Sequence, residues 1–408
     1  MTTPARTYAP RFGSSVTQTA ANLGPLASLP GSWRGKGFSV MWRPQNFAAE
    51  VNDPPLAAGV NKIKRYLMLN KTSESFNFEV IPGQVPNRGL QQAATGSVQE
   101  DIDLYGLHYL QRVSDDDAPG FLDAGQALHI EPGLFMYVPA NDNSTAPGFD
   151  NNNPTIVRMG SIPHGVNVLM QGTAPSATPV PGPPKIPDTY PIPTMPVQAK
   201  SGVPLTAPIG GTDFVGLGIQ PFEAVAGASV NNEHVVPEQR ISNDVLPTPA
   251  VAGGPVQSNG PYPAEFQAII NNPNSVLQDY IKDQTILGSI TIPLSTTAVN
   301  PGVSQIPFLG VAENNGVSYL DSTTNNCYVL SASATFWLEW VKASNAPGNY
   351  HNYQRLGSNG DKGPISQLDP YADQPTYLQL QYSQTVILVF NKVLWPHITV
   401  ATMHLSGG

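Results

Sequence analysis

Residues 377–405 read YLQLQYSQTVILVFNKVLWPHITVATMHL, two strand-forming runs, Tyr377–Phe390 and His397–Leu405, joined across Asn391–Pro396. Their counterpart lies near the other end of the chain, where residues 29–37 read LPGSWRGKG. A chain that opens and finishes in strands of this kind can close on itself, and closure removes the edges that would otherwise invite aggregation. These two stretches therefore predict a barrel.

Working inward, the pattern holds. Cys327–Val341 alternates strictly: Tyr328, Leu330, Ala332, Ala334, Phe336, Leu338 and Trp340 share one apolar face, against Ser331, Ser333, Thr335, Trp337 and Glu339. A period of two is the mark of a half-buried strand. Further strands are expected at Gly37–Arg43, Leu104–Val113, Gln126–Val138, Ile156–Met159, Val166–Met170, Thr285–Leu294 and Gln305–Val311. Arg65–Asn70 and Ser75–Ile81 read as a pair around a turn at Lys71–Glu74. About ten strands result, half on each side of a long proline-rich stretch. The fold class is mainly β: one antiparallel up-and-down barrel carrying a partly helical insertion.

The organisation follows: 1–28 as an N-terminal arm, 29–172 as the first half of the barrel, 173–283 as the insertion or lid, and 284–408 as the second half. Pro175–Pro208 is dense in proline and nearly free of charge, which predicts extended chain. Pro263–Asp283 carries helical periodicity broken at Pro273, so two short helices are expected there.

Composition excludes several classes. Only 12% of residues are charged and the net charge is −9, so no concentrated positive surface is available for nucleic acid. A single cysteine, Cys327, leaves no intramolecular disulfide and no cysteine-built zinc site. No signal-type leader and no run of about eighteen apolar residues is visible, so the expectation is a soluble, cytoplasmic chain without a membrane span. Gly-x-Ser-x-Gly and P-loop motifs are absent from the sequence.

Histidines and one arginine supply the candidates. His397 begins an apolar strand after Trp395-Pro396. His404, seven residues on, is expected on the opposite face and exposed. His164, in Ile162-Pro163-His164-Gly165, sits on a turn at a barrel mouth and is the catalytic candidate. His129 alternates with Leu128 and Ile130, and Glu131 is assigned to the opposite face. Arg158 stands in an otherwise apolar strand; pointing inward, it would bind a carboxylate in two-pronged fashion.

Leu29-Pro30-Gly31-Ser32-Trp33-Arg34-Gly35-Lys36-Gly37 resembles the opening of the fatty-acid-binding-like calycins, nitrobindin-type haem proteins in particular. Ala127-Leu128-His129-Ile130-Glu131 is similar to their central "LHxE" strand, and Pro396-His397-Ile398-Thr399-Val400 to their C-terminal "PHLxA" text. The resemblance implies a ten-stranded barrel with an apolar interior holding a hydrophobic or planar molecule. It makes haem the leading cofactor, with His397 on the iron; Trp33, Arg158, His129 and His164 are expected near the pocket, with peroxidase-like or nitrogen-oxide chemistry. Two alternatives stand beside it: a cofactor-free cyclase or isomerase acting on an apolar metabolite, and a structural protein that assembles with copies of itself.

Overall fold

The computed structural model describes residues 22–44, 65–93, 96–116, 127–139, 154–163, 166–189, 194–196, 219–221, 269, 272–296, 317–318, 327–345, 355–356, 370–371, 374–390 and 393–406. Ten strands form a closed antiparallel barrel. They are β1 (Gly31–Pro44), β2 (Arg65–Val80), β3 (Gly96–Asp115), β4 (Ala127–Val138), β5 (Thr155–Ile162), β6 (Val166–Thr173), β7 (Ile286–Ser295), β8 (Cys327–Lys342), β9 (Thr376–Phe390) and β10 (Val393–Ser406). Each pairs with its neighbours in sequence, and β10 returns to β1 in an unbroken register from Ser32↔Ser406 to Met41↔His397. This is the architecture that the terminal strands and the calycin resemblance imply.

Alternation decides which side chains fill the barrel. On β2, Thr72, Glu74, Phe76 and Phe78 are buried while Lys71 and Glu79 are exposed. The turn expected at Lys71–Glu74 does not exist: Arg65–Val80 is one strand. Thr72 and Glu74 keep the period of two and face inward, so polar residue types were mistaken for turn chemistry. A ribbon at Val85–Ala93, paired with the first half of β3, was also unforeseen. Pro86 and Gly89 argue locally against a strand. The strand expected at Gln305–Val311 lies outside the described residues.

The two halves of the chain meet at two seams of unequal quality. The β1–β10 seam is continuous, whereas β6 meets β7 only at Gln171↔Ser295. The chain beyond β6 then rejoins β7 through Val180↔Ser289 and Pro181↔Gly288. Pro175, Pro179, Pro181 and Pro293 lack the N–H that a regular ladder needs, which accounts for the interruption.

The described ends of the insertion are tied together. Thr189 N donates to Asn272 Oδ1 (3.0 Å), Asn274 Nδ2 to Pro187 O (2.7 Å) and Gln278 Nε2 to Ile186 O (3.0 Å). After Pro273 comes the helix α1 (Ser275–Ile281), as expected; most of the first expected helix lies outside the described residues. Among the described residues, no helix is long and apolar enough to cross a membrane.

Candidate functional site

The barrel interior has two halves that share the same ten walls. One half is apolar and filled. Phe76 stacks on Phe78 at 5.1 Å between ring centroids, and Phe135 meets Phe336 edge-on at 5.4 Å. Tyr109 and Tyr382 pack against the same group, at 5.3 Å from Phe135 and 5.5 Å from Phe336. Leu23, Leu26 and Leu29, around a short 3₁₀ turn at Gly24–Leu26, are buried in the same cluster. Trp33 is part of it, its indole Nε1 donating to Leu29 O at 2.7 Å. Gly31 precedes it with φ 129, a backbone conformation that glycine tolerates and other residues do not. The Gly-x-Trp motif therefore marks a plugged end of the barrel.

The other half is polar. Arg158, 1% exposed, lies at the boundary, its guanidinium carbon 5.5 Å from the ring centres of both Tyr109 and Phe336. Its donors go to four neighbouring side chains: Nε to Tyr109 Oη (3.1 Å), Nη1 to Gln384 Oε1 (2.7 Å), and Nη2 to Gln111 Oε1 (3.1 Å) and Glu131 Oε1 (2.8 Å). Tyr109 Oη also donates to Glu131 Oε1. Gln111 Nε2 donates to Tyr382 Oη (3.1 Å), and Tyr382 Oη donates to Glu74 Oε2 (2.5 Å). Thr72 Oγ1 completes the chain on Glu74 Oε1 at 2.8 Å. Gly37 faces this carboxylate so closely that a β-carbon there would collide with Glu74 and Thr72.

The two carboxyls of this layer differ in charge. Burial raises both. For Glu131, the Arg158 guanidinium and hydrogen bonds from His129 and Tyr109 more than reverse that, holding it down to about 2. Among the described residues Glu74 has no cation in direct contact; burial carries it up to about 7, and the Tyr382 and Thr72 bonds offset this only in part. Divergent pKa values in one buried cluster are the pattern that separates an acid from a base.

His129 and Glu131 are two residues apart and so share a face, contrary to the assignment made from sequence. His129 Nε2 lies 3.2 Å from Glu131 Oε2. The imidazole is 24% exposed against 1% for the carboxylate. His397 also points inward, half-buried, with Nε2 3.0 Å from Ser39 Oγ. Burial pushes its pKa down to about 4 and keeps it neutral. Glu74 and His129 flank Val113 in one cross-strand row, and Glu131 joins His129 to Arg158, so these groups belong to one part of the barrel.

Other candidates fall elsewhere. Trp33 is at the plugged end: Met41, the register partner of His397, lies eight residues farther along β1, about 26 Å at the usual strand rise. His164 lies outside the described residues. His404 is on the outer face as expected but is buried, because α1 covers it: Tyr280 Oη sits 3.3 Å from its Nε2. Glu74, Gln111 and Gln384 were not singled out from sequence. Their one signal was a polar residue breaking the apolar face of a strand, as at Gln111 among Leu107, Tyr109 and Val113.

Under the same helix lies a second buried polar group, on the outer face of β8–β10. Gln379 Nε2 donates to Glu339 Oε2 (2.5 Å) and to Gln284 Oε1 (3.0 Å), and Gln381 Nε2 to Thr402 Oγ1 (2.7 Å). Among the described residues, no group of three or more His, Cys, Asp or Glu is arranged to hold a metal ion.

No family model matches the chain, and neither the curated proteins nor the solved structures contain a significant match.

Proposed function

We propose that the polar half of the barrel binds a small, planar, largely apolar molecule, and that haem is the best-matched guest. The observation that supports this reading is His397. It offers a neutral imidazole that faces the barrel interior and keeps some solvent contact, and among the described residues its hydrogen-bond partner is the Ser39 hydroxyl. Neutral imidazole is a good axial ligand for haem iron. When bound, haem would supply an iron centre for redox or gas-ligand chemistry.

The other residues expected near the pocket divide. His129 shares the layer with His397 and suits the guest's other side. Arg158 is already committed to Glu131, Gln111, Gln384 and Tyr109, so it braces the floor and is not a free clamp for a propionate. Trp33 belongs to the plugged end and contributes stability alone.

Titration with hemin, followed by absorption spectroscopy, tests the reading. Wild-type protein is expected to shift the Soret band, and His397→Ala to lose most of that shift. A wild type without any shift, or a shift unchanged in His397→Ala, removes haem. A second reading, a cofactor-free enzyme on an apolar metabolite, draws on the split between Glu74 and Glu131. Mass spectrometry of the protein as isolated separates the two, since a bound non-haem molecule favours the second.

A further inference from the structure

We infer that His129 is the acid–base group of this site, taking a proton from a planar, weakly acidic carbon acid bound beside it. The inference rests on the reading that the polar half admits a guest, and it adds a reaction to the binding.

Three features of the geometry carry it. First, Glu131 is held ionised inside the barrel by the direct Arg158 contact at 2.8 Å and by the Tyr109 hydroxyl. An ionised carboxylate only accepts hydrogen bonds. The contact between Glu131 Oε2 and His129 Nε2 therefore assigns the ring proton to Nε2 and the lone pair of the neutral ring to Nδ1.

Second, the order of burial suits a base held in place by an orienting carboxylate. Arg158 and Glu131 are each 1% exposed and the imidazole in front of them is 24% exposed. The rigid members are thus the buried ones, and the reactive ring is the member that reaches solvent. Four hydrogen bonds on Arg158 fix the pair, so the carboxylate cannot swing away from the ring.

Third, the charge balance suits proton uptake. A proton arriving at Nδ1 makes an imidazolium directly against the Glu131 carboxylate, which stabilises it. The second buried carboxyl, Glu74, stands in the same cross-strand row as His129, the two flanking Val113. No bond needs to form to the protein and no oxidant is consumed.

The probe is 5-nitrobenzisoxazole, a planar apolar carbon acid whose ring opens on loss of one proton. Nδ1 takes the C3 hydrogen, the C–H electrons form the nitrile, the N–O bond breaks and the oxygen leaves as phenolate. Atoms and electrons balance without a cofactor. Binding is measured separately, by equilibrium dialysis at a pH where ring opening in buffer is slow.

Wild-type protein is expected to open the bound probe with a rate about 10²-fold above that of His129→Gln, the usual range for a positioned base. Glutamine at 129 can still donate to Glu131, so it keeps the buried pair satisfied while removing the base. Equal rates in the two proteins, with binding intact, overturn the inference and leave the binding site standing. A probe that does not bind overturns both.

A guest-free measurement checks the tautomer. The ¹⁵N shifts of the neutral His129 ring should report Nε2 protonated and Nδ1 bare; the reverse tautomer also overturns the inference.

Discussion

Glu131 and Glu339 are both carboxyls with almost no exposure, at 1% and 0%, yet at neutral pH the first is ionised and the second neutral. Glu131 lies inside the barrel against Arg158 and stays ionised. Glu339 lies on the outer wall beneath the insertion; burial pushes it up to about 8, and the hydrogen bond from Gln379 offsets this only in part. Among the described residues, one of its oxygens has no hydrogen-bond partner. Burial alone thus yields a neutral acid, whereas burial with a fixed guanidinium yields a permanent anion. The first arrangement ties a cover to a wall. The second orients a histidine that solvent reaches, which is why the interior layer is assigned the function.

Removing the cation should have the largest effect. Arg158→Met leaves Glu131 buried without its partner, at an expected cost of about 3–5 kcal/mol, read by guanidinium denaturation. Adding Glu131→Gln to that variant should restore most of the loss. If Arg158→Met costs nothing, the guanidinium is not what keeps Glu131 ionised.

The pH dependence separates the pair by sign. The folded-state pKa of Glu339, about 8, lies above the ordinary 4.5. Its contribution is therefore complete below pH 4.5 and is lost as pH rises towards 8, a change of a few kcal/mol. Glu339→Gln should flatten that limb of the stability curve. Glu131, at about 2, behaves oppositely: its contribution is present above pH 4.5 and falls away as pH drops towards 2. His397 and His404, both lowered by burial to about 4, add to the acid limb between pH 6.5 and 4. Urea titrations across pH 3–9 check all of these.

Smaller effects probe each layer locally. Gln284→Ala removes the paired amide bonds to Gln379 and should cost about 1–2 kcal/mol, with faster hydrogen exchange confined to α1 and its surroundings. Ser39→Ala should change stability by about 1 kcal/mol or less. Because iron at Nε2 of His397 would displace the Ser39 bond, this variant is expected to bind hemin as well as wild type or better. A large loss of affinity in Ser39→Ala would mean that Ser39 orients His397 and does not compete with the guest.

Much of the scaffold was legible because alternation is a local property. Ala332–Trp340 shows which face turns inward without any knowledge of its neighbours, and the β1–β10 closure follows from having strands at both ends. The site was less legible. Thr72 and Glu74 look like turn residues until the barrel around them is known, and the place of Glu131 beside His129 needed only a correct count of two. Whether Arg158 faces inward depends on partners from β3, β4 and β9, which no local pattern can supply. His404 was misjudged because its cover comes from α1, more than a hundred residues earlier in the chain.

The most direct test of the central claim is a ¹⁵N NMR titration with ferric hemin that follows both ends of the barrel at once. The account predicts that the imidazole signals of His397 and His129 broaden or shift while the indole of Trp33 stays unchanged. A shift at Trp33 with both histidines unmoved would contradict it.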